Sequence, residues 1–268
     1  MPRAGSRSTA GPFGGAQSLR RGLSVLRALA SAQDQGARLA DIAEQCALTR
    51  ATAHRLVQVL MEEGLAERTP RSLRYVLGRD AALLGIARPS ALSLRGVASP
   101  LLRDICERTG DSTVLTVRSG LDTVCVERLL GDHPVQVILV AVGTRLPMGA
   151  GVAGLVMMAF LPEEECEQLL AANAARLARR RVDTAILRQR VPEVRRQGYA
   201  FTEEGVNPGT HALALPVLDP DGRAVAAISI NAMADRLPAS RVRRLFPILQ
   251  EQARALEQAM GPLGTARA

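Results

Sequence analysis

Between Ser18 and Glu63 three short amphipathic stretches follow one another, the last two separated only by Ala47-Leu48-Thr49, and few compact folds accept that spacing. Leu19, Leu23, Val25, Leu26 and Leu29 recur at helical spacing from Ser18 to Ala32, and Gly36 ends that segment. A second helix is expected from Leu39 to Cys46 with Leu39, Ile42, Ala43 and Cys46 inward, and a third from Arg50 to Glu63, stopped by Gly64. Leu65 to Arg68 and Leu73 to Leu77 are short extended runs joined by Thr69-Pro70-Arg71-Ser72, which reads as a hairpin with an arginine at its tip. Three helices and a hairpin predict a winged helix-turn-helix over residues 18–78.

In such a motif the first turn of the last helix meets base edges, so it needs hydrogen-bonding side chains on one face and apolar ones on the other. The run from Thr49 to Leu60 divides that way, with Ala53, Leu56, Val57 and Leu60 inward and Arg50, Thr52, His54 and Arg55 outward. Thr49 is placed to cap the helix. Arg68, Arg71 and Arg74 on the wing are placed for backbone or minor-groove contact. The expected DNA-binding set is therefore Thr49, Arg50, Thr52, His54, Arg55, Arg71 and Arg74. Charge agrees: of the net +8, residues 1–90 hold 13 arginines against 7 acidic residues, a net +6, and the remainder only +2. A basic segment poor in aromatics suits a polyanion, because neutralised phosphates release counterions. A winged helix serving as a protein-interaction or RNA-binding module stays open as an alternative.

Residues 1–17 read as a basic tail without the apolar core of a secretory signal, and no apolar run is long enough to span a bilayer, so a cytoplasmic protein is expected. Residues 79–94 read as a linker helix ending near Pro89-Ser90. A larger domain then follows over residues 95–262, with a frayed tail at 263–268. Its elements read as a helix from Leu101 to Thr109, strands at Ser112–Ser119, Asp122–Leu130 and Val135–Val140, a helix from about Ala153 to Leu161, and a helical pair from Pro162 to Gly198. Strands at Ala212–Leu218 and Ala224–Asn231, turned by Asp219-Pro220-Asp221-Gly222, lead to a final helix from Pro238 to Met260. That is α+β with helices against an antiparallel sheet.

Cys46, Cys106, Cys125 and Cys166 are irregularly spaced, with no Cys-x-x-Cys pair and no histidine at ligand spacing, so reduced thiols and no metal are expected. No cofactor motif is present. A cysteine-dependent enzyme using Cys125 and His133 is the remaining catalytic alternative; nothing in the sequence orients the two, and no catalytic residue is assigned. The glycine-rich turn from Gly149 to Gly154 precedes a helix, whose free amides attract a carboxylate.

Four stretches resemble the IclR family of bacterial transcriptional regulators over roughly residues 18–262. They are Leu19-Arg20-Arg21-Gly22-Leu23-Ser24-Val25-Leu26; Leu39-Ala40-Asp41-Ile42-Ala43 with Thr52-Ala53-His54-Arg55-Leu56; Gly143-Thr144-Arg145-Leu146-Pro147-Met148; and Glu203-Glu204 followed by Pro208-Gly209, Ala214-Leu215-Pro216-Val217 and Ala226-Ala227-Ile228-Ser229-Ile230. The resemblance implies a winged helix joined to a GAF-like effector domain, homodimers or tetramers on a palindromic double-stranded operator, and repression or activation modulated by a small organic acid. It implies an effector site at Gly151, Val152, Ala153 and Gly154, with Thr202, Glu204, Ser229 and Asn231 as polar contacts and Ala212 beside Val152 as apolar wall. Where the family often has Pro-Leu-His-x-Thr-Ala-x-Gly-Lys, this chain has Pro147-Met148-Gly149-Ala150-Gly151-Val152-Ala153-Gly154-Leu155. Loss of the histidine and threonine makes room, and a ligand bulkier than a two- or three-carbon acid is expected.

Overall fold

A computed structural model describes residues 16–32, 35–70, 72–86, 89–138, 140–202 and 208–264. The chain divides between Leu84 and Gly85 into two compact units.

In the first unit α1 (Gln17–Ala32), α2 (Leu39–Gln45) and α3 (Arg50–Glu62) precede an antiparallel hairpin of β1 (Ala66–Arg68) and β2 (Tyr75–Leu77), and α4 begins at Arg79 and runs to Ile86. Val25, Leu29, Ile42, Ala43, Ala53, Val57 and Leu60 form the core, with Leu26, Leu39, Cys46 and Leu56 packed at its margin. Ala47 turns the chain between α2 and α3 in a left-handed conformation (φ 52°), and the Leu48 amide donates to the Ala43 carbonyl. Leu19 and Leu23, although on helical spacing, stay exposed.

The second unit begins with α5 (Pro89–Thr109). A six-stranded antiparallel sheet follows, of β3 (Ser112–Ser119), β4 (Asp122–Leu129), β5 (Arg145–Pro147), β6 (Ala200–Thr202), β7 (Thr210–Leu218) and β8 (Ala224–Met233), in the order β5-β4-β3-β8-β7-β6. Helices α6 (Val152–Ala159), α7 (Glu163–Ala178) and α8 (Thr184–Gln197) lie between β5 and β6 in sequence, and α9 (Ala239–Gly264) ends the described chain. Because strand side chains alternate, the sheet separates two cores. Leu213, Leu215, Ile228 and Ile230 pack with Leu102 and Ile105 of α5 and Leu245 and Leu249 of α9. The other face carries Ala212, Ala214 and Ala227, and these small residues admit α6. That helix is apolar all round, as a helix enclosed on every side must be.

Three sequence expectations change. Residues 135–138 form no strand, and Leu139 lies outside the described residues; β5 takes the place beside β4 instead. Gly131 crosses Gly110 so closely that a β-carbon would stand 2.2 Å from its carbonyl carbon. Gln136 fixes the loop, donating to the carbonyls of Gly110 (3.0 Å) and His133 (2.7 Å) and accepting from Ser112 (2.8 Å), so the alternating valines there serve a pinned loop with Val135 and Ile138 exposed. The helix expected from Leu101 begins at Pro89: proline suits a first helical position, and Pro100 sits on the exposed side, where the carbonyl it leaves unpaired meets water. Finally, α9 continues to Gly264, past the expected end at Met260.

The start of β3 is tied to the start of α9 by Asp111, whose side chain is 2% exposed. Arg236 donates to Oδ1 (2.8 and 2.9 Å) and Arg241 to Oδ2 (2.6 Å), while Arg241 also donates to the Thr109 carbonyl (2.9 Å). Removing one partner of such a buried arrangement leaves uncompensated charge. Asp111→Ala is expected to lower stability by about 3–5 kcal/mol, read as a lower denaturant midpoint for the second unit; an unchanged midpoint would show that water satisfies both guanidinium groups equally well.

Candidate DNA-reading face and ligand cavity

Thr49 has extended backbone, and its Oγ1 accepts the Thr52 amide (3.2 Å) and meets the Thr52 hydroxyl at 2.9 Å. This cap starts α3 so that Arg50, His54 and Arg55 stand exposed with Thr52 half-buried, opposite the core residues Ala53, Val57 and Leu60. On the wing, Arg74 is drawn inward: its Nη1 donates to the Gly36 carbonyl (3.0 Å), so one edge of the guanidinium is already engaged. Arg68 lies over the Tyr75 ring at 5.8 Å. Arg71 lies outside the described residues. Every ion pair among the described residues falls between Arg95 and Glu251, and none involves Arg50 or Arg55. The arginines of α3 are thus left with their charge uncompensated.

The second unit holds a cavity of about 560 Å³ between the small-residue face of the sheet and the helices above it. Gly151, Val152, Ala153, Thr202, Ala212, Ser229 and Asn231 all line it; Gly154 packs against Gly149 instead, and Glu204 lies outside the described residues. Ser229 and Asn231 are 4% and 7% exposed as residues, both line the cavity, and neither side chain has a hydrogen-bond partner among the described residues, so their polar atoms stay accessible from the space. The register places Ala214 and Val114 on either side of Ser229, and Ala212 and Ser112 on either side of Asn231.

Gly151 precedes α6 at φ 90°, ψ 167°, a conformation that L side chains rarely adopt, and it makes no side-chain cap. The first helical bond runs from the Leu155 amide to the Gly151 carbonyl (3.1 Å), leaving the amides of Val152, Ala153 and Gly154 unpaired at a helix start. One contact holds the approach to this turn and another the far end of α6. Asn173, wholly buried, donates to the Leu121 carbonyl (2.7 Å) and, at 3.5 Å, to the Met148 carbonyl, and Arg195 donates to the Ala159 and Leu161 carbonyls that close α6.

Sequence reasoning did not find Thr116, Thr123 and Cys125 on the cavity floor, nor Arg180, Arg181 and Arg190 at its wall. The strand pattern could have paired Thr116 with Cys125, which are register partners; the arginines carry no local signal. Burial pushes the Cys125 thiol up to about 12, and its Sγ lies 3.6 Å from the Glu127 carbonyl. The His133 ring is engaged instead in its own turn, with Nδ1 3.1 Å from the Val135 amide. A thiol held protonated opposes its use as a nucleophile. Among the described residues no group of His, Cys, Asp and Glu side chains could hold a metal ion, and no helix is long and apolar enough to cross a membrane.

The model of the IclR helix-turn-helix domain matches residues 18–70, and that of the bacterial transcriptional regulator IclR C-terminal domain matches residues 88–258. The chain belongs to the IclR family. It is a DNA-binding transcriptional regulator whose second domain is the family's effector-binding domain. It is 29% identical over 251 residues to the HTH-type transcriptional regulator XynR of Escherichia coli K12, covering 91% of this chain and 97% of that one. Identity to the transcriptional repressor IclR of the same organism is 27% over 258 residues, covering 95% and 93%. An IclR homologue from Microbacterium hydrocarbonoxydans, solved in complex with 4-hydroxybenzoate, superposes with a TM-score of 0.69 at 26% identity, covering 91% of this chain and 99% of that one.

Within the IclR frame, the positions where the family often carries histidine and threonine are Gly149 and Gly151, both at positive φ and both on the cavity wall. With Cys106 and Cys166 also raised by burial, all three thiols keep their protons in the folded protein after an unfolded chain has begun to lose them. Stability therefore falls as pH rises above about 9, where only the unfolded state gains by ionising. In the native regulator at pH 8, iodoacetamide is expected to label half-buried Cys46 well before Cys125, as read by peptide mass spectrometry. Equal rates would contradict the burial of the Cys125 thiol.

Proposed function

We propose that this regulator acts in the cytoplasm, binding a roughly palindromic operator as a homodimer, alone or paired into a tetramer, and that an organic acid in the cavity sets its affinity for that operator. Two α3 helices enter successive major grooves, with Arg50, Thr52, His54 and Arg55 toward base edges and phosphates and Thr49 fixing the helix start. Arg71 and the free edge of Arg74 reach the flanking backbone. Exposed Leu19 and Leu23 on α1 and Leu83 and Leu84 on α4 support contact with a second copy, since unpartnered apolar side chains on a small unit favour association.

The observation that carries the effector reading is the convergence on one cavity of the free amides at the start of α6 and the unpartnered side chains of Ser229 and Asn231. A carboxylate accepts from both sets, and the helix start adds a favourable field. Gly151, Val152, Ala153 and Gly154 supply the amide end, Thr202 and Glu204 the rim, and Ala212 with Val152 an apolar wall. A volume of about 560 Å³ exceeds the needs of a two- or three-carbon acid and suits a ligand with an apolar body. The complex of the Microbacterium homologue with 4-hydroxybenzoate supports that size class. Such a ligand shifts operator affinity only by its differential affinity for the DNA-competent arrangement.

Anisotropy of a labelled fragment from beside the gene, against random DNA at two salt concentrations and with a panel of aromatic and aliphatic acids, tests both halves. Preference for the native fragment and a shift caused by one acid are expected. Ala153→Phe, a helical position facing the cavity, should retain operator binding and lose the response. A variant that responds like the wild type removes the effector from this cavity. Arg55→Ala should weaken operator binding by about 1–3 kcal/mol if it reads a base, or lower the salt slope by about 0.9 if it neutralises a phosphate. No change in either would displace α3 as the reading helix.

A further inference from the structure

The turn between α7 and α8 contributes charged side chains to the cavity lining. Arg180 and Arg181 line the cavity there, and neither side chain has a hydrogen bond or ion pair among the described residues. The turn is held by its own backbone: the Arg180 and Val182 amides both donate to the Leu177 carbonyl, at 2.8 and 3.1 Å, and the Arg181 amide donates to Ala178 at 2.9 Å. Arg181 occupies the left-handed region at φ 58°, which residues other than glycine and asparagine seldom enter. A third guanidinium, Arg190, lines the wall while donating to the Phe201 carbonyl.

Asp183 is the acidic residue among the described lining, and its Oδ1 already accepts the Ala185 amide at 2.8 Å as the cap of α8. Among the described lining residues, three guanidinium groups thus face one carboxylate, and those of Arg180 and Arg181 have no partner of their own. Apolar side chains also line the space, Val182, Ile186 and Leu187 from this turn and α8, with Val140 and Leu146 from the chain around β5. The lining thus offers two anion-binding features with apolar surface to accompany them.

We infer that the effector is a dianion, an organic acid with a second acidic group that Arg180 and Arg181 bind while its carboxylate occupies the amides of α6. This rests on the effector reading of the cavity and names the ligand class it selects. Planar guanidinium groups suit a carboxylate, which accepts two parallel N–H bonds, and two of them make the preference for a doubly charged ligand steep.

Titration calorimetry on the full-length protein compares terephthalate with benzoate, and straight-chain α,ω-dicarboxylates with monocarboxylates of equal length. At least one dicarboxylate should bind roughly tenfold or more tightly than its matched monocarboxylate. The double variant Arg180→Ala/Arg181→Asn, in which asparagine tolerates the left-handed backbone, should erase that advantage and leave the monocarboxylate within about twofold. Arg180→Lys/Arg181→Lys should keep part of it. Equal binding of the two classes by the wild type, or an advantage that survives the double variant, overturns the inference. Monocarboxylate binding that Ala153→Phe abolishes, with no dicarboxylate bound, leaves the cavity reading standing and removes this one. Failure of both series in protein that still binds its operator removes both.

Discussion

Gly154 lies against Gly149 so closely that a β-carbon on it would stand 2.6 Å from the Gly149 amide nitrogen, and the second unit is arranged around that contact. Only glycine permits the first turn of α6 to fold back on the chain that leads into it. The residues of that helix start, Gly151, Val152 and Ala153, share the lining of one cavity with Ala212, Ser229 and Asn231 of the sheet. On the opposite face the same strands carry leucine and isoleucine beneath α5 and α9. The cavity thus follows from how side-chain size alternates along β7 and β8: large residues fill one layer, small ones leave the other open, and the glycine turn before α6 borders the gap.

Much of this architecture was legible because it is periodic. The three helices of the first unit and the long strands obey spacings of 3.6 or 2 over enough residues to stand above noise, the hairpin is marked by its turn residues, and Thr49 and Gly64 mark the ends of α3 by familiar terminus chemistry. Val135 to Val140 misled because alternation records which side chains might share a face, and here the chain is held out of the sheet by Gln136 and by the crossing of Gly110 with Gly131, neither of which leaves a periodic trace. The three-residue strands β5 and β6 are too short to show a pattern and exist only because longer strands offer them an edge. The unbroken start of α5 was hidden by Pro89, which equally well begins a helix or ends one.

The cavity divides along the same line. Gly151, Val152, Ala153, Thr202, Ala212, Ser229 and Asn231 reached the candidate site through family likeness and through the glycine turn. Arg180, Arg181 and Cys125 did not, since their membership depends on α7, α8 and β4 meeting in space. A turn arginine looks solvated in sequence whether or not a cavity stands behind it. Ser229 and Asn231 are informative for the opposite reason: two polar side chains on a strand read as a solvent-facing edge, whereas here they stand in a largely buried strand with their polar atoms open to the cavity.

The basic residues of this chain are all arginine, and the structure uses them in two distinct ways. In the second unit several are committed to the fold: Arg236 and Arg241 hold Asp111, Arg145 and Arg176 hold Asp122, Arg195 closes α6, and Arg95 with Ser99 holds Glu127, whose carboxyl burial would raise but these donors keep below its ordinary value. In the first unit Arg50 and Arg55 have no such partner. An arginine that already has a buried carboxylate gains little from a further anion, whereas one facing water without a counter-charge gains the full interaction when an anion arrives. Other arginines of the second unit are equally unpartnered; what sets Arg180 and Arg181 apart is that they combine this with a place on the lining of the cavity, which is why an acidic ligand is the anion assigned to them.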